Sequence, residues 1–164
     1  MLAGTITTDG AWYEFVFEGA GSPAFAGGTA DPGTNPDSVA LDDAPWTFSG
    51  AAVLNILDLF NSGDRFEAFD GAVSLGLTSQ ASEGGSCSSD ITCALGDSRY
   101  SFGTFALGAG DHSITILVDS TPFNGGAAVL QAVATEAQAP EPGTMLLVGA
   151  ALSVLGLARR SRKR

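Results

Sequence analysis

The chain has 164 residues, with 18 acidic against 7 basic side chains and a formal charge of −11. Seventeen of the acidic residues precede Pro140, but only two of the basic ones do, Arg65 and Arg99, so the first 139 residues carry a formal −15 and no lysine. Such a body lacks the basic footprint that nucleic acid or an anionic lipid surface requires, which argues against both as its partners. Its recurring phenylalanines and β-branched residues argue against disorder.

Taken in order, residues 2–18 predict two strands split at the turn pair Asp9-Gly10. In the second, Tyr13, Phe15 and Phe17 alternate with Glu14, Val16 and Glu18, a period of two that fits a strand with one wet face. Gly19 to Asp43 is a loop rich in Gly, Pro, Asp and Asn, long enough to hold a short strand. Trp46 to Phe60 is the most apolar stretch of the body. Val53, Ile56, Leu57 and Phe60 have helical spacing, yet the neighbouring segments are strands, and strand is the reading adopted. Asn61-Ser62-Gly63-Asp64 reads as a turn, Arg65 to Asp70 as a strand and Asp70-Gly71 as a hairpin turn. Val73, Leu75 and Leu77 then form the inward side of the next strand.

Ala81 to Ser98 reads as a loop holding both cysteines. Tyr100 to Leu107 and His112 to Asp119 predict a hairpin across Gly108-Ala109-Gly110-Asp111, with Ile114, Ile116 and Val118 on one face and Ser113, Thr115 and Leu117 on the other. Ala127 to Thr135 is a last strand. Eight or nine short strands, without a body helix or βαβ alternation, predict an all-β fold over residues 1–135. The expected form is an antiparallel β-sandwich, jelly-roll-like or immunoglobulin-like. Residues 136–139 form a linker.

Several groups of residues could carry chemistry. Cys87 and Cys93 share a Gly/Ser-rich loop and predict a disulfide outside the cytoplasm, since a metal site would want four ligands and His112 is the only histidine. His112, at a predicted hairpin end beside Asp111, reads as a tolerated polar residue. The chain has no Gly-x-Ser-x-Gly elbow to make it a catalytic base. Glu14, Glu67 and Glu83 are the carboxylates that could pair across a sandwich face as a glycosidase needs, although solvated acidic faces are the simpler reading. Asp31, Asp37, Asp42 and Asp43 offer loop oxygens for calcium, without the spacing of an EF-hand. Trp12, Trp46 and Tyr100 are the aromatic platforms on which sugar rings could stack, weighed against plain core packing. No catalytic residue is assigned, and the body is expected not to be an enzyme.

The last 25 residues differ in kind. Pro140-Glu141-Pro142 is followed by an apolar run, Gly143 to Ala158, whose only polar side chains are Thr144 and Ser153. Arg159, Arg160, Arg162, Lys163 and Arg164 close the chain. An apolar run with a basic end predicts one short membrane helix whose basic residues stay cytoplasmic. Sixteen helical residues reach roughly 24 Å, short of the roughly 30 Å hydrocarbon core, which suits a processing signal better than a permanent anchor. This three-part order resembles the PEP-CTERM sorting signal of Gram-negative bacteria. The resemblance covers residues 140–164 and implies recognition by a membrane transpeptidase, exosortase, with cleavage at or near Pro140-Glu141-Pro142. It also implies an inner-membrane-anchored precursor and a final place at the cell surface or in the extracellular matrix, often among biofilm polysaccharide. The stretches GDRFEAFDGAVSLGLTS and SFGTFALGAGDHSITILV resemble, more weakly, the extracellular β-sandwich body of many such proteins. Met1 to Thr5 shows neither a basic start nor an apolar core, so an export signal peptide is expected upstream of Met1.

Overall fold

A computed structural model describes residues 4–27, 38–40 and 42–135. Almost all of the regular structure is β. In order come β1 (Gly4–Thr5), β2 (Asp9–Glu18), β3 (Ser38–Ala40), β4 (Trp46–Ser49), β5 (Ala52–Asp58), β6 (Phe60–Asn61), β7 (Arg65–Asp70), β8 (Val73–Leu77), β9 (Ser86–Ser88), α1 (Ile91–Leu95), β10 (Phe102–Leu107), β11 (Asp111–Ser120) and β12 (Gly125–Ala134). One sheet has the order β1-β4-β11-β7-β8, the other β10-β5-β12-β2-β3, and β6 pairs with β9 alone. Every pairing is antiparallel except β1 with β4 and β2 with β3, two short parallel additions at the sheet edges.

The long strands nest around one another. β2 pairs with β12, β4 with β11, β5 with β10, and β7 with β8. One core joins the two sheets. Phe15, Phe17, Leu54, Ile56 and Leu130 come from the second sheet, and Trp46, Phe66, Ile114, Ile116 and Val118 from the first. Phe66 meets both Phe15 and Phe17 edge-on, at ring-centroid distances of 5.8 and 5.1 Å. Edge-to-face contact is the favoured geometry for aromatic quadrupoles.

The alternation read in β11 holds: Ile114, Ile116 and Val118 are buried and Leu117 is exposed. Other expectations need correction. The Asp9-Gly10 pair does not divide two strands, because β2 runs through it with Gly10 at a φ of 88°, facing a register shift in β12. β10 and β11 are not a hairpin. They belong to opposite sheets, and Gly108–Gly110 carries the chain from one layer to the other. A matching crossover joins β4 to β5, and the two are tied by the bond from Gly50 N–H to Gly110 C=O, 2.8 Å. Val73 and Leu77 are exposed, not inward, because β8 is an edge strand whose register against β7 shifts between Ala68 and Phe69.

The cysteine loop is not plain coil either. It contains β9 and the five-residue helix α1, whose N-cap Asp90 accepts a bond from the Cys93 amide at 2.9 Å, as an N-cap carboxylate does. The loop lies over the outer face of the second sheet. Leu57 and Val129, register partners on that face, are buried with Leu59, Cys87, Ile91, Ala94 and Tyr100 in a second cluster. Apolar residues on both faces of β5 are therefore explained by a cover on each side.

Candidate functional site

The strongest electrostatic feature of the described residues is a pair of buried aspartates. The parity of β5 turns Ala52, Leu54 and Ile56 into the core, and Asp58 follows them at the strand end, fully buried. The chain then turns through Leu59–Gly63, where Phe60 has a φ of 63° and Gly63 a φ of 139°. Gly63 is required here, since a Cβ would lie 2.7 Å from the Pro122 ring and its φ is strained for any other residue. The turn ends at Asp64, 2% exposed.

Asp58 Oδ2 accepts from the backbone N–H groups of Gly63 at 3.0 Å and Asp64 at 3.1 Å, which clips the turn shut. Apart from the hydrogen bond between the two carboxyls, the Oδ1 atoms of Asp58 and Asp64 find no partner among the described residues. Burial, with the charge of Asp64 added, pushes the Asp58 carboxyl up to about 8, against the backbone donors of Gly63, Asp64 and Leu59. Burial also raises Asp64, opposed by hydrogen bonds from Thr121 and Asp58. Like charges in a dry site resist joint ionisation. Asp64 also lines a cavity of about 140 Å³ beside Phe60, Asn61, Phe123 and the start of β12.

A second feature is an open groove of about 640 Å³ on the first sheet, between the Thr5–Thr8 segment and the facing ends of β4 and β11. His112 borders it but is only 7% exposed. Its Nδ1 lies 2.7 Å from Asp70 Oδ2, its Nε2 lies 2.9 Å from the Gly108 carbonyl oxygen, and its ring packs 4.9 Å from Phe48. The reading of His112 as a polar residue tolerated at a hairpin end is thus corrected: it is a buried tie between β7, β11 and the crossover loop. Burial pulls its pKa down, but the hydrogen bond to Asp70, the Gly108 carbonyl, the Asp70 charge and the Gly50 carbonyl outweigh that and hold it above the ordinary value.

The sequence-predicted sites fare unevenly. Cys87 and Cys93 are joined in a disulfide, with Cα atoms 5.6 Å apart. Trp46 is fully buried, 5.5 Å from Phe15 by ring centroids, with its Nε1–H on the Asp42 carbonyl at 2.8 Å. Tyr100 is buried too, its hydroxyl accepting from Cys87 N–H at 2.7 Å and donating to Phe60 C=O at 2.8 Å. Neither can stack on a sugar, and Trp12 packs half-buried against the second cluster. The three do not form a strip.

Glu14 is buried, which corrects its wet-face reading, and it lies on the outer side of the second sheet. Glu67 alternates with inward Phe66 and Ala68 of the first sheet and takes the Ser74 hydroxyl at 2.6 Å. Glu14 and Glu67 thus sit on opposite outer faces and cannot form a catalytic pair. Glu83 is exposed in the cysteine loop. Of the calcium candidates, Asp42 and Asp43 bond through their backbone carbonyls to Trp46 and Gly4, while Asp31 and Asp37 lie outside the described residues. Among the described residues no group of three or more His, Cys, Asp or Glu gathers to hold a metal. The Asp58–Asp64 pair was missed, although the inward parity of Leu54 and Ile56 extends to Asp58.

Pro140, Glu141, Pro142, the apolar run and the basic cluster of Arg159, Arg160, Arg162, Lys163 and Arg164 lie outside the described residues. Among the described residues no helix is long and apolar enough to cross a membrane. Residues 138–163 match the family model of the PEP-CTERM protein-sorting motif. The chain carries a PEP-CTERM sorting motif. That motif marks an exported protein and implies exosortase as its processing partner. The match spans the proline-flanked glutamate, the apolar run and all the basic residues but the last. Comparison with curated proteins and with solved structures gave no match.

Proposed function

We propose that this PEP-CTERM protein is a non-catalytic component of the cell surface or extracellular matrix of a Gram-negative bacterium, associated with exopolysaccharide or biofilm. In this reading the segment from Gly143 to Ala158 holds the precursor in the inner membrane, with Arg159 to Arg164 in the cytoplasm. Exosortase then cleaves near Pro140-Glu141-Pro142. The observation that carries the reading is the sorting motif at residues 138–163. The acidic, disulfide-closed β-body supports it. The nested order of β2/β12, β4/β11, β5/β10 and β7/β8 favours a jelly-roll-like sandwich over an immunoglobulin-like one.

A second reading, a carbohydrate-binding module, is favoured by the groove that Thr5, Thr7, Thr47, Ser49 and Ser113 line with hydroxyls, since sugar sites combine apolar floor with placed polar groups. A glycan hydrolase draws no such support, because Asp58 and Asp64 are buried and Glu14 and Glu67 face apart. Incubating the exported protein with the host's own extracellular polysaccharide separates these readings. Co-sedimentation without release of reducing ends fits the surface role. If groove substitutions such as Thr47→Lys abolish the association, binding is by the module. Release of new reducing ends overturns the non-catalytic reading.

A further inference from the structure

The ion pairs of the described residues are Arg65 with Asp119, Arg99 with Asp97, and His112 with Asp70, none of which touches Asp58 or Asp64. What these two carboxyls have is each other, a hydroxyl and backbone amides. Asp58 takes the amides of Gly63 and Asp64, and Asp64 is bonded to Thr121 and to Asp58. Two carboxylates facing each other in a dry site repel, whereas a proton held between them turns the repulsion into a hydrogen bond. We propose that Asp58 and Asp64 share one proton, and that this proton is the catch of a pH-sensitive latch whose release loosens the Leu59–Gly63 turn and, with it, the cysteine loop.

The cysteine loop hangs on that turn. Ser62 N–H donates to the Gly85 carbonyl at 3.1 Å, the Ser62 hydroxyl to the Ser82 carbonyl at 2.8 Å, and Gly85 N–H to Ser62 Oγ at 2.8 Å. Phe60 pairs with Ser88 of β9, and its carbonyl takes the Tyr100 hydroxyl at 2.8 Å. Next to these contacts lie Cys87, Ile91 and Ala94, buried in one cluster with Leu57 and Val129. Charged groups around the pair are few among the described residues. The cysteine loop brings Glu83, whose side chain stands beside Gly63. β7 brings Arg65, turned to Asp119 and to the Thr78 carbonyl. Thr121 and Gly126, between β11 and β12 and at the start of β12, carry no charge. Tyr100 feels the Asp58 charge, but burial first of all holds its pKa above the ordinary 10.0. The Asp58 carboxyl is pushed up to about 8 by burial and then by Asp64. Its proton therefore contributes fully below the unfolded carboxylate value of about 3.9, and the contribution is lost as pH rises through the folded value. The cavity beside Asp64 gives water a way to the pair. The latch lies in the interior of the body and does not depend on what its surface binds.

The test uses the exported protein at pH 6 and pH 9.5. NMR of the aspartate carboxyl carbons is expected to show one proton on the pair at pH 6, lost near pH 8. Hydrogen exchange is followed at both values and corrected for its intrinsic pH dependence. Between them, protection over residues 82–100 is expected to fall roughly tenfold more than at Leu130 and Ala132 in β12. The amides of β11 are left out of the comparison, because His112 titrates there with Asp70 at the other end of β7. Asp58→Asn sets an amide N–H in place of the acid proton and keeps an oxygen for the Gly63 and Asp64 amides. It should hold the protection of pH 6 at pH 9.5. Asp64→Asn, with the amide on the other side of the pair, should do the same. Two ionised carboxyls at pH 6 would overturn the proposal. So would equal protection of residues 82–100 at both pH values, or a loss in both asparagine variants as large as the parent's.

Discussion

His112 and Asp70 form a hydrogen-bonded pair that favours the cationic form of the imidazole. Its Nδ1 faces the Asp70 carboxylate at 2.7 Å and its Nε2 faces the Gly108 carbonyl at 2.9 Å. An ionised Asp70 and a backbone carbonyl both accept, so the cation, with both ring nitrogens donating, is the form that satisfies both partners. The Ser113 amide donates to the other Asp70 oxygen at 2.9 Å. Burial opposes the Asp70 charge, but the Ser113 amide and His112 prevail and hold its pKa below the usual carboxylate value.

The pair gives stability a pH dependence of definite sign. The His112 pKa is raised on folding. Its contribution is therefore fully present below the unfolded value of about 6.5 and is lost as pH rises through the higher folded value. Asp70 acts in the opposite sense, with its contribution lost as pH falls through its depressed folded pKa. His112→Ala is expected to cost about 1–3 kcal/mol in chemical denaturation at pH 6 and less above the folded pKa. Asp70→Asn should move the His112 titration, followed by NMR, to lower pH. An unmoved titration would mean that the carboxylate does not hold the proton.

The disulfide closes a small ring, so its effect on the unfolded chain is modest, about 2 kcal/mol in the loop-entropy model. Its larger effect is local, because it holds the loop that covers Leu57 and Val129. Replacing Cys87 and Cys93 by serine should lower stability by about 2–3 kcal/mol. Hydrogen exchange should also accelerate over residues 86–100 more than in β11. Uniform acceleration would show that the loop unfolds only with the whole body.

Trp46 separates the buried reading from the sugar-platform reading. Its indole is fully buried against Phe15. Trp46→Ala should therefore cost about 3–5 kcal/mol. A variant as stable as the parent, but impaired in polysaccharide binding, would place Trp46 on the surface.

Much of the body was legible because the strands keep their period. Ile114, Ile116 and Val118 read as one face and are buried together, and Tyr13, Phe15 and Phe17, read as alternating with a wet face, are buried too. What was hidden depends on partners distant in sequence. The Gly108–Asp111 turn signal is the same whether the next strand pairs back or crosses to the other layer. Glu14 looks wet until it is known to be buried. Leu57 looks like a helix or a misplaced apolar residue until the cysteine loop is known to cover it. The sorting motif was legible in full, because it is read as a linear order of short segments and does not wait on the fold.

The most direct test of the account is the intact mass of the protein recovered from outside the cell, in a host with exosortase and in the same host without it. In this account exosortase acts at or near Pro140-Glu141-Pro142. With exosortase, the recovered chain should lack the peptide from about Gly143 onward. Without exosortase, or with Pro140, Glu141 and Pro142 changed to alanine, the full tail should persist in the membrane fraction. Extracellular protein that still ends in Arg164 in the exosortase-bearing host would contradict the account.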